Sequence, residues 1–378
     1  MKICLDARGN HFGGVYTYTY SMLRTLPDAD PDFEYLVLFD QHQVNEGRLP
    51  VSNIPYRTVP VMSPLKMVWW NNFKLPKLLQ DERIDLYHGF KHFGLRYPRN
   101  HKCKMIWTLR TASWWLFPEL FSLQERLFWT RYYTLGAKRL DQVVCVAHAD
   151  KKAFVEAIGL DPEKVSVTQL ASDHRFLKVE DKKVLNETTQ KYNLPDKYVL
   201  FVGTIYPFKN IETIISVFAN LVKSGQPHDL VLTGGLSPAY GESYKKSLIE
   251  QAKSLGVEKR IHWVGSIFDN LPAVYTMADL LLFPSRFEAF AKPPLEAMAC
   301  DTPVVASSAA GLPEVIGEAG LMRDPADIEG LTEAALEALT NQDLRAELIR
   351  KGHDQVKYFS WERCADETVK LYHKVLNM

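Results

Sequence analysis

Short runs rich in Val, Ile and Leu, each followed by a helix-length segment, recur along this chain in two series, and that alternation limits the folds open to it. The first series is MKICLD from position 1, EYLVLFD from 34, DLYHG from 85, KMIWTL from 104 and QVVCVA from 142. The second is YVLFVG from 198, DLVLTGG from 229, RIHWVG from 260, DLLLFP from 279 and TPVVAS from 302. Nearly continuous apolar runs suit strands buried on both faces, and strands alternating with helices predict a parallel, doubly wound sheet. At 378 residues the chain exceeds what one hydrophobic core usually serves. Two Rossmann-like α/β domains are therefore expected. Ligands of such sheets bind outside the carboxyl ends of the strands, so the domains should face one another across a cleft.

The stretch from Ser172 to Pro195 is charged and weakly apolar, which makes it the expected linker. The boundaries that follow are 1–171 for an N-terminal domain, 172–359 for a C-terminal one and 360–378 for a terminal helix with Ser360 as its N-cap. After Asp324 the pattern is wholly helical, with segments near 327–340, 343–356 and from Ser360.

Residues 1–170 hold 22 Lys/Arg against 17 Asp/Glu, and 171–378 hold 23 against 28, so the halves differ in sign although the net charge is zero. A pI near 7.2 speaks against nucleic acid as a partner. The basic, aromatic stretch KMVWWNNFKLPKLL reads as an amphipathic helix packed on a sheet, or as a surface that rests on an anionic bilayer. Five cysteines without C-x-x-C spacing read as reduced core residues. With no leader pattern and no apolar run near the ~20 residues that span a bilayer, the expected location is cytoplasmic, with peripheral contact at the inner membrane face as an option. Neither G-x-G-x-x-G nor G-x-x-x-x-G-K-[ST] occurs, which argues against dehydrogenase and P-loop chemistry, and no cofactor is expected.

The window EAFAKPPLEAMAC places Glu288 on a loop after the strand-like DLLLFP and Glu296 in the first turns of a proline-entered helix. Unpaired N–H groups at Lys292 and Leu295, with the helix dipole behind them, suit a diphosphate. Glu288 is then placed to accept hydrogen bonds from a sugar's hydroxyls and Glu296 from a ribose diol. In VGTIYPFKN, Lys209 sits just ahead of a helix, where its ammonium would neutralise phosphate, with Asn210 as the helix cap. Gly13 and Gly14 follow the first strand and allow close approach of backbone to a ligand. His88 and His92 are four apart, but Gly89 and the strand pattern argue against a helical metal pair, and His88 reads as a strand-end residue on the acceptor side of the cleft. The Asp28, Asp30, Asp32 cluster reads as a solvated turn. No metal ligands are expected.

These residues carry a resemblance. EAFAKPPLEAMACDTPVVAS is similar to the E-x7-E segment of glycosyltransferase family 4, usually written E-G-F-G-x-P-x-L-E-A-M-A, and the likeness extends over nearly the whole chain. It implies a GT-B fold whose terminal helix, SWERCADETVKLYHKVL, crosses back to the N-terminal, acceptor-binding domain. It further implies that Glu288 contacts the donor hexose, the backbone of Ala289, Phe290, Ala291 and Lys292 the sugar and phosphates, and Glu296 the ribose. Lys209 is carried over as a phosphate ligand, Gly265, Ser266 and Ile267 as main-chain contacts to the base, and Gly13 and Gly14 as the N-terminal glycine loop.

The sequence departs from the family pattern in places. Arg110 and Thr111 stand where a His-Asp pair is common, so Arg110 replaces a histidine often assigned to the catalytic centre, and Thr204 stands where many members have arginine. Ala289 and Ala291 replace the glycines of E-G-F-G. The implied activity is metal-independent, retaining transfer of a hexose, from UDP-hexose by preference, to a saccharide or lipid-linked saccharide in polysaccharide biosynthesis. A GDP-mannose-dependent mannosyltransferase, a nucleotide-sugar epimerase and a non-catalytic binding member are the alternatives.

Overall fold

The computed structural model describes residues 1–9, 13–45, 54–90, 102–110, 112–236 and 241–378. The chain divides into two compact units, Met1–Leu170 with Ser360–Met378, and Ala171–Phe359. The first holds strands β1 (Lys2–Asp6), β2 (Glu34–Asp40), β3 (Tyr56–Val59), β4 (Leu86–Gly89), β5 (Lys104–Leu109), β6 (Gln142–Cys145) and β7 (Val165–Val167). They form one sheet in the order β3-β2-β1-β4-β5-β6-β7. The second unit holds β8 (Tyr198–Val202), β9 (Asp229–Thr233), β10 (Ile261–Gly265), β11 (Leu280–Phe283), β12 (Val304–Ser307) and β13 (Leu321–Arg323), ordered β10-β9-β8-β11-β12-β13.

Every strand pair is parallel, so each connection must cross over through a helix or loop. Both sheets are doubly wound, with the strand order reversing next to the first strand of each unit. In the second unit that switch point lies between β8 and β11, which opens a crevice between the loops that follow them. The apolar runs behave as expected of doubly covered strands: Leu280, Leu281, Leu282 and Phe283 have no exposed surface, nor have Val199, Leu200 and Phe201.

The helix Trp361–Leu376 belongs to the first unit and packs along the helix Gly13–Ala29. Ser360 caps it, its hydroxyl accepting from the Arg363 N–H at 3.1 Å. Its buried face comprises Trp361, Cys364, Ala365, Thr368, Val369, Leu371, Tyr372 and Val375, spaced by three and four, as a one-sided helix requires. All five cysteines are buried.

Two details differ from expectation. The segment from Ser172, expected as a linker, contains the helix Lys182–Tyr192, capped by Asp181, and lies within the second unit. KMVWWNNFKLPKLL forms no single helix: Pro76, lacking an N–H, starts a new one, giving Pro64–Phe73 and Leu75–Asp81. Leu75 and Leu79 are buried, whereas Trp69 and Phe73 are exposed.

Candidate functional site

In the second unit the switch point brings together two loops that are far apart in sequence. Lys209 ends the turn after β8, and Glu288 lies on the loop after β11. The Lys209 Nζ donates to Glu288 Oε1 at 2.5 Å, and each side chain is only 13% exposed. The ammonium also lies 5.3 Å from the ring centre of Phe208 and 5.5 Å from that of Phe283, within reach of cation–π attraction. Main-chain and amide bonds hold the loops together: Arg286 N–H donates to the Phe208 carbonyl at 2.7 Å, and Asn210 Nδ2 to the Pro284 carbonyl at 3.0 Å. Asn210 Nδ2 also donates to the Pro325 carbonyl at 2.8 Å.

Asn210 therefore corrects the expectation that it caps its helix. It occupies the N-cap position in left-handed backbone, φ 60, and its side chain makes no capping bond. Asparagine tolerates that conformation, and its amide is used instead to lace three segments together.

Beneath the Glu288 loop lies Gly311, whose N–H donates to the Glu288 carbonyl at 2.9 Å. A Cβ at Gly311 would meet the Ala289 carbonyl oxygen at 2.2 Å and that of Glu288 at 2.9 Å. The backbone of the loop thus rests directly on backbone, and only glycine permits the approach. The helix Lys292–Ala299 begins next, with Ala291 at the N-cap. Pro293 and Pro294 have no N–H, and Leu295, the fourth helical residue, is placed to donate to the Ala291 carbonyl within the helix, so this end offers fewer donors than expected. Neither Ala289 nor Ala291 takes a positive φ, so alanine serves at both positions. Phe290 is buried, its ring edge-on to Phe359 at 5.4 Å.

Glu296 has other partners. It is buried on its helix, and Tyr275 Oη donates to its Oε2 at 3.0 Å. Burial raises its carboxyl pKa above the ordinary value, against the opposing pull of Lys292, the Tyr275 bond and Arg175. Thr204, Gly265 and Ser266 are exposed at the carboxyl ends of β8 and β10, while Ile267 is buried. These ends are tied closely, for a Cβ at Gly234 would lie 1.8 Å from the Gly203 carbonyl oxygen. Gly234 N–H in turn donates to the Gly265 carbonyl at 2.8 Å.

In the first unit, Gly13 and Gly14 open the helix Gly13–Ala29, and among the described residues Gly9 precedes it with a positive φ. Arg110 directly follows β5. His88 is a correction: it does not face an acceptor site but has no exposed surface. Its Nδ1 lies 2.6 Å from Tyr372 Oη and its Nε2 2.8 Å from Thr108 Oγ1, so both ring nitrogens are occupied. Burial, with Arg110 adding to it, lowers the imidazole pKa to about 3, and the ring is neutral. His92 and Thr111 lie outside the described residues. Among the described residues no group of three or more His, Cys, Asp or Glu could hold a metal ion.

Tyr275, Asn210's lacing role and Gly311 were not foreseen. Gly311 and Asn210 leave a faint signal, a glycine and an asparagine just before helix-length segments, but Tyr275 is an aromatic in an ordinary apolar helix pattern.

Comparison with known proteins places this geometry in context. Residues 186–355 match the family model described as glycosyl transferases group 1, and residues 12–174 match that described as glycosyltransferase family 4. The chain is 26% identical over 343 residues to an Escherichia coli O-antigen chain mannosyltransferase B, covering 88% of this chain and 84% of that protein. It is 32% identical over 231 residues to a D-inositol 3-phosphate glycosyltransferase of Corynebacterium efficiens, covering 58% of this chain and 53% of the relative. Among solved structures, Anabaena HepE in complex with UDP and glucose superposes with a TM-score of 0.76 at 19% identity, over 99% of this chain and all of the other.

Proposed function

The chain belongs to the GT-B glycosyltransferases of the family 4 type, and from that premise we propose that it transfers a hexosyl group from a nucleotide diphosphate sugar to a saccharide or lipid-linked saccharide during polysaccharide assembly. The observation that carries the reading is the Lys209–Glu288 pair at the switch point of the second unit. A diphosphate entering there competes with Glu288 for the Lys209 ammonium. Glu288 is then released to accept hydrogen bonds from the sugar's hydroxyls, while the Lys292–Ala299 helix end adds its dipole. Glu296, oriented by Tyr275, receives the ribose diol, and the exposed ends of β8 and β10 receive the rest of the nucleotide.

The chemistry that fits is retaining. As the bond from the anomeric carbon to the diphosphate oxygen breaks, charge grows on the phosphate and Lys209 stabilises it, so the reading requires no metal. The acceptor oxygen bonds to the same carbon from the same face, and its proton passes to the departing phosphate. The mannosyltransferase relative, which matches most of the chain, favours a mannosyl donor over the UDP-hexose preferred from sequence alone. The acceptor side is read in the first unit, where exposed Trp69, Phe73, Leu123 and Leu127 would rest on a bilayer carrying a lipid-linked acceptor. No described helix is long and apolar enough to cross a membrane.

The test is a thermal-shift and transfer panel with GDP-mannose, UDP-glucose and the free nucleotides, with and without chelator. Ligands that bind only the native state raise Tm by mass action. Stabilisation and turnover with GDP-mannose, unchanged by chelator, support the reading. Turnover with UDP-glucose alone transfers the donor assignment to UDP-hexose, and absence of any nucleotide shift overturns the transferase site.

A further inference from the structure

Arg110 is a half-buried cation with no counter-charge among the described residues. Its Nη2 donates to the Phe90 carbonyl at 2.7 Å, and its guanidinium carbon lies 4.3 Å from the centre of the Tyr18 ring. Nε and Nη1, both shielded from solvent, have no hydrogen-bond acceptor. The described groups around it are neutral. Tyr18 Oη is 3.1 Å from Thr108 Oγ1, His88 has both nitrogens engaged, and burial pushes the Cys364 thiol up to about 12. Arg8 in the same unit is held differently, with its Nε and Nη2 on the Asp6 carboxylate at 2.8 and 2.5 Å. Burial lowers the Arg110 pKa to about 10, so it stays charged at neutral pH.

Buried charges are ordinarily paired, and buried donors ordinarily bonded. A guanidinium with no carboxylate beside it among the described residues, and with Nε and Nη1 unbonded, at the carboxyl end of a strand in an open parallel sheet, stands where such sheets receive ligands. We propose that Arg110 is an anion-recognition residue, and that the saccharide bound by the first unit presents a carboxylate or a phosphate to it. The identity of the ligand as a saccharide rests on the transferase reading; the binding of an anion at Arg110 does not.

The two sources of the anion are separable by probe. Full-length wild type, R110M and R110K are titrated with glucuronate, glucose 1-phosphate, inorganic phosphate and glucose by calorimetry and thermal shift, and with nucleotides in parallel. Glucuronate binding alone identifies a carboxylate, and binding of both phosphates identifies a phosphate; glucose is expected to give no shift. R110M is expected to weaken the anionic probe by about tenfold or more, since charge-assisted hydrogen bonds are lost. It should also leave the ligand-free Tm equal to wild type or higher, because an unpaired buried charge has been removed, while R110K retains part of the binding. A fall in ligand-free Tm on R110M would make Arg110 a structural residue and overturn the proposal, as would anion binding that is equal in R110M or missing from wild type. Nucleotide shifts preserved in R110M keep the transferase reading separate, whereas their absence from wild type sinks that reading without deciding the anion result.

Discussion

The Lys209 ammonium sits 2.5 Å from the Glu288 carboxylate although 79 positions separate them in the chain. Both are nearly buried, so removing one leaves the other as a poorly solvated charge. K209A and E288Q are each expected to lower kcat/KM for sugar transfer by about a hundredfold or more, with stability reduced by about 1–3 kcal/mol. Because the residues act as a unit, the double variant should fall little below the worse single one. Full transfer by E288Q, with native circular dichroism, would refute the role given to Glu288.

Tyr275 should act on nucleotide affinity rather than on chemistry. Y275F removes the hydroxyl that donates to Glu296, and the nucleotide Kd is expected to rise about fivefold, the worth of about 1 kcal/mol. In the proposed role Glu296 accepts two ribose hydroxyls and must be ionised to do so, and burial already raises its pKa. Affinity should therefore fall as pH drops through the weakly acid range. The Tyr275 bond favours the ionised form, so in Y275F that loss should move to higher pH. Calorimetric titration with nucleotide across pH measures both.

His88 gives the first unit an acid weakness. Its folded pKa is about 3 against an ordinary 6.5, so between those values the unfolded chain takes up a proton that the folded chain refuses. The stability it contributes is complete above pH 6.5 and is lost progressively as pH falls toward 3. H88Q should flatten the acid limb of a Tm-against-pH profile. Y372F, which leaves Nδ1 without its partner, should cost about 1–3 kcal/mol at neutral pH.

Gly311 positions the Glu288 loop from below, and its φ of −80 shows that contact rather than backbone freedom demands glycine. In G311A the added methyl collides with the Ala289 carbonyl at 2.2 Å, and the loop must lift. A displacement near 1 Å is expected to lower kcat by about a hundredfold. Unchanged kinetics with an unmoved loop in a crystal structure of G311A would dismiss this support.

Much of this was legible in the sequence. YVLFVG and DLLLFP announce themselves as β8 and β11 because strands buried on both faces must be apolar throughout. The edge strands Tyr56–Val59 and Leu321–Arg323 carry no such signal, although the edge strand Ile261–Gly265 does. Tyr56–Val59 is mostly exposed and Leu321–Arg323 half-buried, so neither forms an apolar run. The positions of Lys209 and Glu288 on post-strand loops are local facts, visible in the composition around them. Their pairing is a consequence of strand order, which no local pattern records. His88 was misread for the same reason: its partner Tyr372 lies 284 positions away on the last helix, and a polar residue at a strand end suggests solvent until that helix is in place.

The passage of the chain through the two units has an evolutionary corollary. Because Ser360–Met378 completes the unit that Met1 began, the second unit is an insertion with two seams, at Leu170/Ala171 and Phe359/Ser360. A single crossover between related genes cannot exchange it cleanly. A hybrid joined once would take its tail helix from a different parent than the Gly13–Ala29 helix, so the Tyr18–Trp361 and Phe33–Tyr372 aromatic contacts would have to match across lineages. If the second unit binds the donor as proposed, donor preference should be inherited as a cassette bounded by both seams, with the tail travelling with the first unit.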